Sequence, residues 1–76
     1  MAKPEKTFRI GSCSASVFVN DAAGGRQFRS VSLQRRYKQG DKWKSSTSFT
    51  LSDLPSAMAV LQLAMTHVAE SETDAD

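Results

Sequence analysis

The chain has one cysteine, one histidine, two prolines and no lysine or arginine after Lys44 in a sequence of 76 residues. A lone Cys13 excludes an internal disulfide framework, and a lone His67 excludes a histidine-based metal cluster. No apolar run approaches the roughly 20 residues that a membrane-spanning helix needs. The basic start, Met1 to Lys6, is followed by no long apolar stretch, so no secretory signal is expected. No GxxxxGK[ST], GxGxxG, CxxC or HExxH pattern is present. Asp21 and Asp41 fall in separate turns with nothing to pair them as acid and base. These absences argue against an enzyme, a cofactor or a metal, and against a membrane partner. They favour a reducing, cytoplasmic address, with nucleoid association compatible.

What is there is a polarised charge distribution. The net charge of +2 conceals two opposed segments. Residues 1–45 carry all ten Lys and Arg against Glu5, Asp21 and Asp41, a net of +7. Residues 46–76 carry five acids and no Lys or Arg, a net of −5. Such asymmetry in a small domain points to a face built for a polyanion.

Hydrophobic periodicity organises the chain as one domain over residues 7–69, with a flexible start at 1–6 and an acidic, disordered tail at 70–76. The run Phe8 to Asn20 alternates through Cys13, Ala15, Val17 and Val19, which predicts a strand with a bend or bulge at Gly11. Asp21 to Gly25 is a turn. Gln27 to Lys38 alternates again, with Arg29, Val31, Leu33, Arg35 and Tyr37 on one side and Phe28, Ser30, Ser32, Gln34, Arg36 and Lys38 on the other. After a connection at Gln39 to Asp41, a third run from Lys42 to Leu51 places Trp43, Ser45, Thr47, Phe49 and Leu51 inward and Lys44, Ser46, Ser48 and Thr50 outward. From Leu54 the period becomes helical, with apolar residues at 54, 57, 58, 61, 64, 65 and 68. Ser52 or Asp53 is the expected N-cap, Pro55 fits the first turn, and the helix is expected to end near Ala69.

The expected fold is therefore α+β: a three- to four-stranded antiparallel meander followed by one C-terminal helix packed on one sheet face, β-β-β-α. Leu54, Met58, Leu61, Met65 and Val68 are expected to meet the inward residues of the sheet. Val60 and Leu63 fall off that stripe, and with His67 they are the expected interface of a homodimer, a frequent device of chains this short.

The other sheet face is the candidate site. Its expected floor is Ser12, Ser14, Ser16, Ser30, Ser32, Gln34, Ser46 and Ser48, hydroxyls and an amide that donate and accept hydrogen bonds. The residues expected to bind nucleic acid are Arg9, Phe18, Arg26, Phe28, Arg29, Arg35, Arg36, Tyr37, Lys38, Lys42, Trp43 and Lys44. Cations that neutralise phosphates, beside rings on which bases stack, are what a single strand requires. The segment from Arg35 to Lys44 concentrates five cations and two aromatics on one hairpin. A soluble edge hairpin would carry such charge too. Cys13, at an inward position, reads as a small core residue.

The strand ending VFVN20, the segments RQFRSVSLQRRY37 and KWKSSTSFTL51, and the helix SDLPSAMAVLQLAMTHV68 together resemble the PC4-like, Pur-alpha and Whirly group of single-stranded nucleic-acid-binding proteins. The resemblance covers most of the chain and lies in topology and residue character. It implies a polar, basic sheet that binds single strands, with Phe18, Phe28, Tyr37 and Trp43 stacking on bases, and pairing of two units through their helices. Two other readings stand beside it. One is a duplex DNA binder that lays a three-stranded sheet in the major groove, as integrase-type β-β-β-α domains do. The other is a protein–protein adaptor with a basic face.

Overall fold

Gly11 and Ser12 break the first alternating run into two strands. Gly11 takes φ of +60°, a left-handed conformation open to glycine at no steric cost, and the chain reverses there. The computed structural model describes residues 3–73, and its elements are β1 (Lys6–Ile10), β2 (Cys13–Asp21), a short 3-10 turn (Ala23–Gly25), β3 (Gln27–Gln39), β4 (Lys42–Ser46) and α1 (Leu54–Thr73). The four strands form an antiparallel sheet in the order β1-β2-β3-β4, and α1 packs on one face of it. The fold is thus a four-stranded meander followed by a helix.

The register assigns each side chain to a face, because cross-strand partners point the same way. Phe8 pairs with Ala15, and Ala15 with Leu33, all on the helix side. Arg9, Ser14 and Gln34 are paired on the opposite, open face. The last strand departs from expectation. Gly40 and Asp41 alone make the turn, so Lys38 pairs with Trp43 and Tyr37 with Lys44. Trp43 and Ser45 therefore face outward, while Lys44 and Ser46 face the helix side. A hairpin connection shorter by one residue exchanges the faces of the whole strand. The strand also ends at Ser46, and Leu51, expected in the core, is 83% exposed.

The core is small and made of small residues. Cys13, Ala15 and Val17 on β2 meet Ala57, Val60 and Ala64 on α1, with Phe8, Leu33, Phe49 and Val68 partly buried around them. Short side chains on both surfaces let the helix lie close to β2. The longer residues expected in this contact, Leu54, Met58, Leu61 and Met65, are displaced to the helix flank and are exposed. Val60, expected at a dimer interface, is fully buried under its own sheet. Burial of a valine side chain of this kind contributes roughly 1.5–3 kcal/mol.

Regular pairing and helix extend to residues whose composition reads as frayed. The Glu5 amide donates to the Val17 carbonyl at 2.7 Å, which continues the β1–β2 ladder past Lys6. The helix continues beyond Ala69 to Thr73, so Glu70 and Glu72 are helical rather than part of a disordered tail. Residues 74–76 of that expected tail, and residues 1 and 2, lie outside the described residues. Asp53 precedes the helix, and its carboxylate turns back to accept from the Thr50 hydroxyl at 2.7 Å and the Thr50 amide at 3.3 Å. These bonds, together with Arg35, hold the Asp53 carboxyl below its ordinary value.

Val60→Ala is expected to lower unfolding stability by about 1–3 kcal/mol in urea titration, from lost transfer energy and the cavity left behind. Leu51→Ala, at an exposed loop position, is expected to stay within about 0.5 kcal/mol of the parent chain.

Candidate nucleic-acid interface

Strand alternation puts Thr7 and Arg9 from β1, Ser14, Ser16, Phe18 and Asn20 from β2, and Phe28, Ser30, Ser32, Gln34, Arg36 and Lys38 from β3 on the open face, with Trp43 and Ser45 from β4. None of these strand positions holds an acid. The face runs the length of β3, about 34 Å from Phe28 to Lys38, with its cations Arg9, Arg36 and Lys38 gathered at one end.

Its two ends differ. At one end Arg9, Gly11, Ser12, Cys13, Ser14, Arg36 and Trp43 line a concavity of about 290 Å³. The guanidinium carbon of Arg36 lies 5.1 Å from the centre of the Trp43 ring, within cation–π range. Lys38 stands opposite Trp43 across the ladder. Among the described residues, no carboxylate forms an ion pair with Arg9, Arg36 or Lys38. Trp43 is 61% exposed, which excludes a core role for the ring.

At the other end Phe28, 49% exposed, lies diagonal to the half-buried Phe18. The Asn20 side-chain amide fixes this corner by donating to Ser30 Oγ at 2.9 Å. Arg26 precedes β3 in the loop nearby and is exposed. Between the two ends lies the hydroxyl floor, where Thr7 and Ser16 are in mutual contact at 3.3 Å. Ser45 belongs to this face in place of Ser46. Ser46 instead accepts from the Ser48 amide at 3.0 Å, on the helix side and beyond the strand end.

Half of the expected binding residues are therefore brought together on one surface: Arg9, Phe18, Phe28, Arg36, Lys38 and Trp43. Arg29, Arg35, Tyr37 and Lys44 are not among them, because the register turns them to the helix side, and Lys42 sits at the turn with the same parity. Two of these have partners within the chain. Arg29 grips Glu5 through two bonds, Nε to Oε2 at 2.9 Å and Nη2 to Oε1 at 3.0 Å. Arg35 donates to the Ser48 carbonyl at 3.0 Å, lies 3.4 Å from the Asp53 carboxylate, and sits 5.1 Å over the Tyr37 ring. These contacts anchor the loop before α1 to the sheet.

Sequence reasoning missed Glu5. It stands in a segment that reads as frayed, yet it joins three elements: Nε2 of His67 on α1 donates to its Oε2 at 2.7 Å, Arg29 on β3 grips that same oxygen and Oε1, and its amide is bonded to Val17 on β2. His67 is also edge-on to the Phe8 ring. No periodic signal marks such a residue, since its partners are 24 and 62 positions away. Cys13 is buried, and its Sγ–H points to the Asp53 carbonyl at 3.6 Å with no base beside it. Among the described residues, no group of three or more His, Cys, Asp or Glu could hold a metal ion, and no helix is long and apolar enough to cross a membrane.

No protein-family model, curated protein or solved structure matches the chain.

The Arg29 and His67 contacts lower the Glu5 pKa from 4.5 to about 2, the hydrogen bond from Arg29 being the largest cause. A carboxyl depressed by folding stabilises the native state above its unfolded pKa and loses that contribution as pH falls through the folded value. Melting temperatures of the parent chain and of Glu5→Gln should therefore differ at pH 6 and converge as pH falls from about 4.5 to 2. A constant difference across that window would show that Glu5 acts through packing rather than charge.

Proposed function

We propose that the protein is a non-enzymatic nucleic-acid-binding module that takes a single strand of DNA or RNA across its open sheet face, with little preference for sequence. The observation that carries this reading is one surface where Arg36, Arg9 and Lys38 surround an exposed Trp43 with no acid among the strand positions. Cations that form no ion pair among the described residues can replace the counterions of a phosphate backbone. A ring covered on one face by Arg36 offers its other face to a base, so that guanidinium, indole and base stack in order. Ser14, Ser16, Ser30, Ser32 and Gln34 supply donors and acceptors without demanding one base pattern. At the far end Phe28 and Phe18 offer a second stacking corner with Arg26 close in sequence. Such a module would act in the cytoplasm, or on the nucleoid, without a cofactor.

Trp43 protrudes from the fold, so its removal reports on binding rather than folding. Trp43→Ala is expected to weaken binding of a fluorescent single strand by about 5- to 150-fold, the range for loss of one stacked base, with an unchanged circular dichroism spectrum. Arg36→Ala and Lys38→Ala should each reduce the slope of log K against log salt by about 0.7. Arg35→Ala should leave that slope unchanged while lowering stability. Equal binding of single strand, duplex and an unrelated polyanion, with no effect of Trp43→Ala, would refute the reading. A preference for duplex would favour the major-groove alternative.

A further inference from the structure

Helix α1 carries two apolar rows, of which its own sheet covers one. Ala57, Val60 and Ala64 are buried against β2. Leu54, Met58, Leu61, Met65 and Val68 form the second row, and the first four are between 41% and 69% exposed. Their spacing alternates four and three residues, the 3.5-residue repeat of a coiled-coil seam. At 3.6 residues per turn this row lies about 100° round the helix from the buried one, toward β3. There the helix leaves part of the sheet uncovered: Val31 on β3 is exposed and, with Leu61, Met65, Val68, Ala69 and Glu72, lines a groove of about 370 Å³.

We infer that this seam is the interface of a homodimer in which two copies of α1 pack antiparallel about a twofold axis near Leu61. Charge complementarity selects the occupant and its direction. The start of α1 lies beside Arg35, through the Asp53 contact, and its last turns lie beside Glu5 through His67. Strands β3 and β4 run on past the helix start, with Lys44 exposed on the helix side there. A twofold axis at Leu61 brings residues after it in one helix opposite residues before it in the other. Glu72 of each copy, whose nearest cation in its own copy is the Glu5-bound Arg29, then falls about 16 Å from the axis, at the end where Lys44 of the other copy stands, Arg35 there being paired with Asp53. The operator makes this pairing twice. A parallel arrangement would set each Glu72 against its equivalent and leave Lys44 facing like charge. The surface is thus self-complementary: an apolar seam with an acid at one end and a base at the other.

This interface differs from the one expected at Val60, Leu63 and His67. Val60 is buried and His67 is bound to Glu5, while Leu63 is exposed on the opposite flank of the helix. Pairing through this seam does not depend on nucleic-acid binding at the open face.

Sedimentation equilibrium of the full chain should give twice its 8.3 kDa mass. Met58→Glu combined with Met65→Glu should give the single-chain mass with an unchanged helical circular dichroism signal, since both side chains are exposed in one copy. Leu63→Glu should leave the doubled mass intact. Glu72→Lys should raise the dissociation constant several-fold, and adding Lys44→Glu should restore it. A parent chain that sediments at the single-chain mass up to hundreds of micromolar would overturn the inference. So would dissociation by Leu63→Glu with retention of the dimer in the double glutamate variant. If that double variant loses its helical signal, the charge exchange decides, and an unaltered constant in Glu72→Lys would overturn the inference.

Discussion

The close contact of short side chains between β2 and α1 determines the rest of this structure. Cys13, Ala15 and Val17 present a shallow surface, and Ala57, Val60 and Ala64 present another. Two such surfaces gain dispersion energy only when the backbones approach, so the helix settles over β1 and β2 rather than over the middle of the sheet. Helix contacts with β3 are correspondingly few, and none of substance is made with β4. From this placement follow the uncovered half of the helix-side face, the exposed row on α1, and the free projection of the β3–β4 hairpin. Glu5, His67 and Arg29 then fasten the far end of the helix to β1 and β3.

The core so formed is modest for a chain of this length. Its six fully buried residues include three alanines and a cysteine, whose transfer from water stabilises little. Meanwhile leucines and methionines remain in solvent along α1. Single exposed apolar residues are ordinary, but a row at coiled-coil spacing next to an exposed Val31 is a patch. Burial of that patch in a second copy would tie folding stability to protein concentration, because association draws the folded state by mass action.

Element type and order were legible in the sequence, because the period changes from two to 3.6 after Ser52 and turn residues punctuate the strands. So was the inward parity of Cys13, Ala15, Val17, Val31 and Leu33. Three features were not. The first run hides two strands, since a single glycine at Gly11 reads equally as a bulge. The face of β4 depends on whether its turn holds two residues or three, and Gln39 suits either. The choice between the two rows on α1 was misread because hydrophobicity ranks Leu and Met above Ala. The sheet, however, selects for the size that fits: Ala57 and Ala64 lie inside and Met58 and Met65 outside. Hydropathy measures what prefers to leave water, whereas packing decides what can enter a given space.

Of the candidate site, the composition was legible and the partition was not. Arg35 and Arg36 are adjacent in sequence and opposite in fate: the pleat sends Arg35 to Asp53 and the loop before the helix, and Arg36 to the Trp43 ring. Phe28 and Arg29 divide in the same way, one toward solvent and one toward Glu5, while Trp43 and Lys44 fall on opposite faces and are both exposed. A count of positive charges along β3 and β4 therefore overstates what the open face holds. The pleat gives the open face Arg9, Arg36 and Lys38, which form no ion pair among the described residues, and gives the other face Arg29 and Arg35, which hold the fold. A polyanion on the open face would compete with no structural ion pair. Binding there would leave the Glu5 and Asp53 contacts intact, and the sheet would remain rigid beneath its ligand.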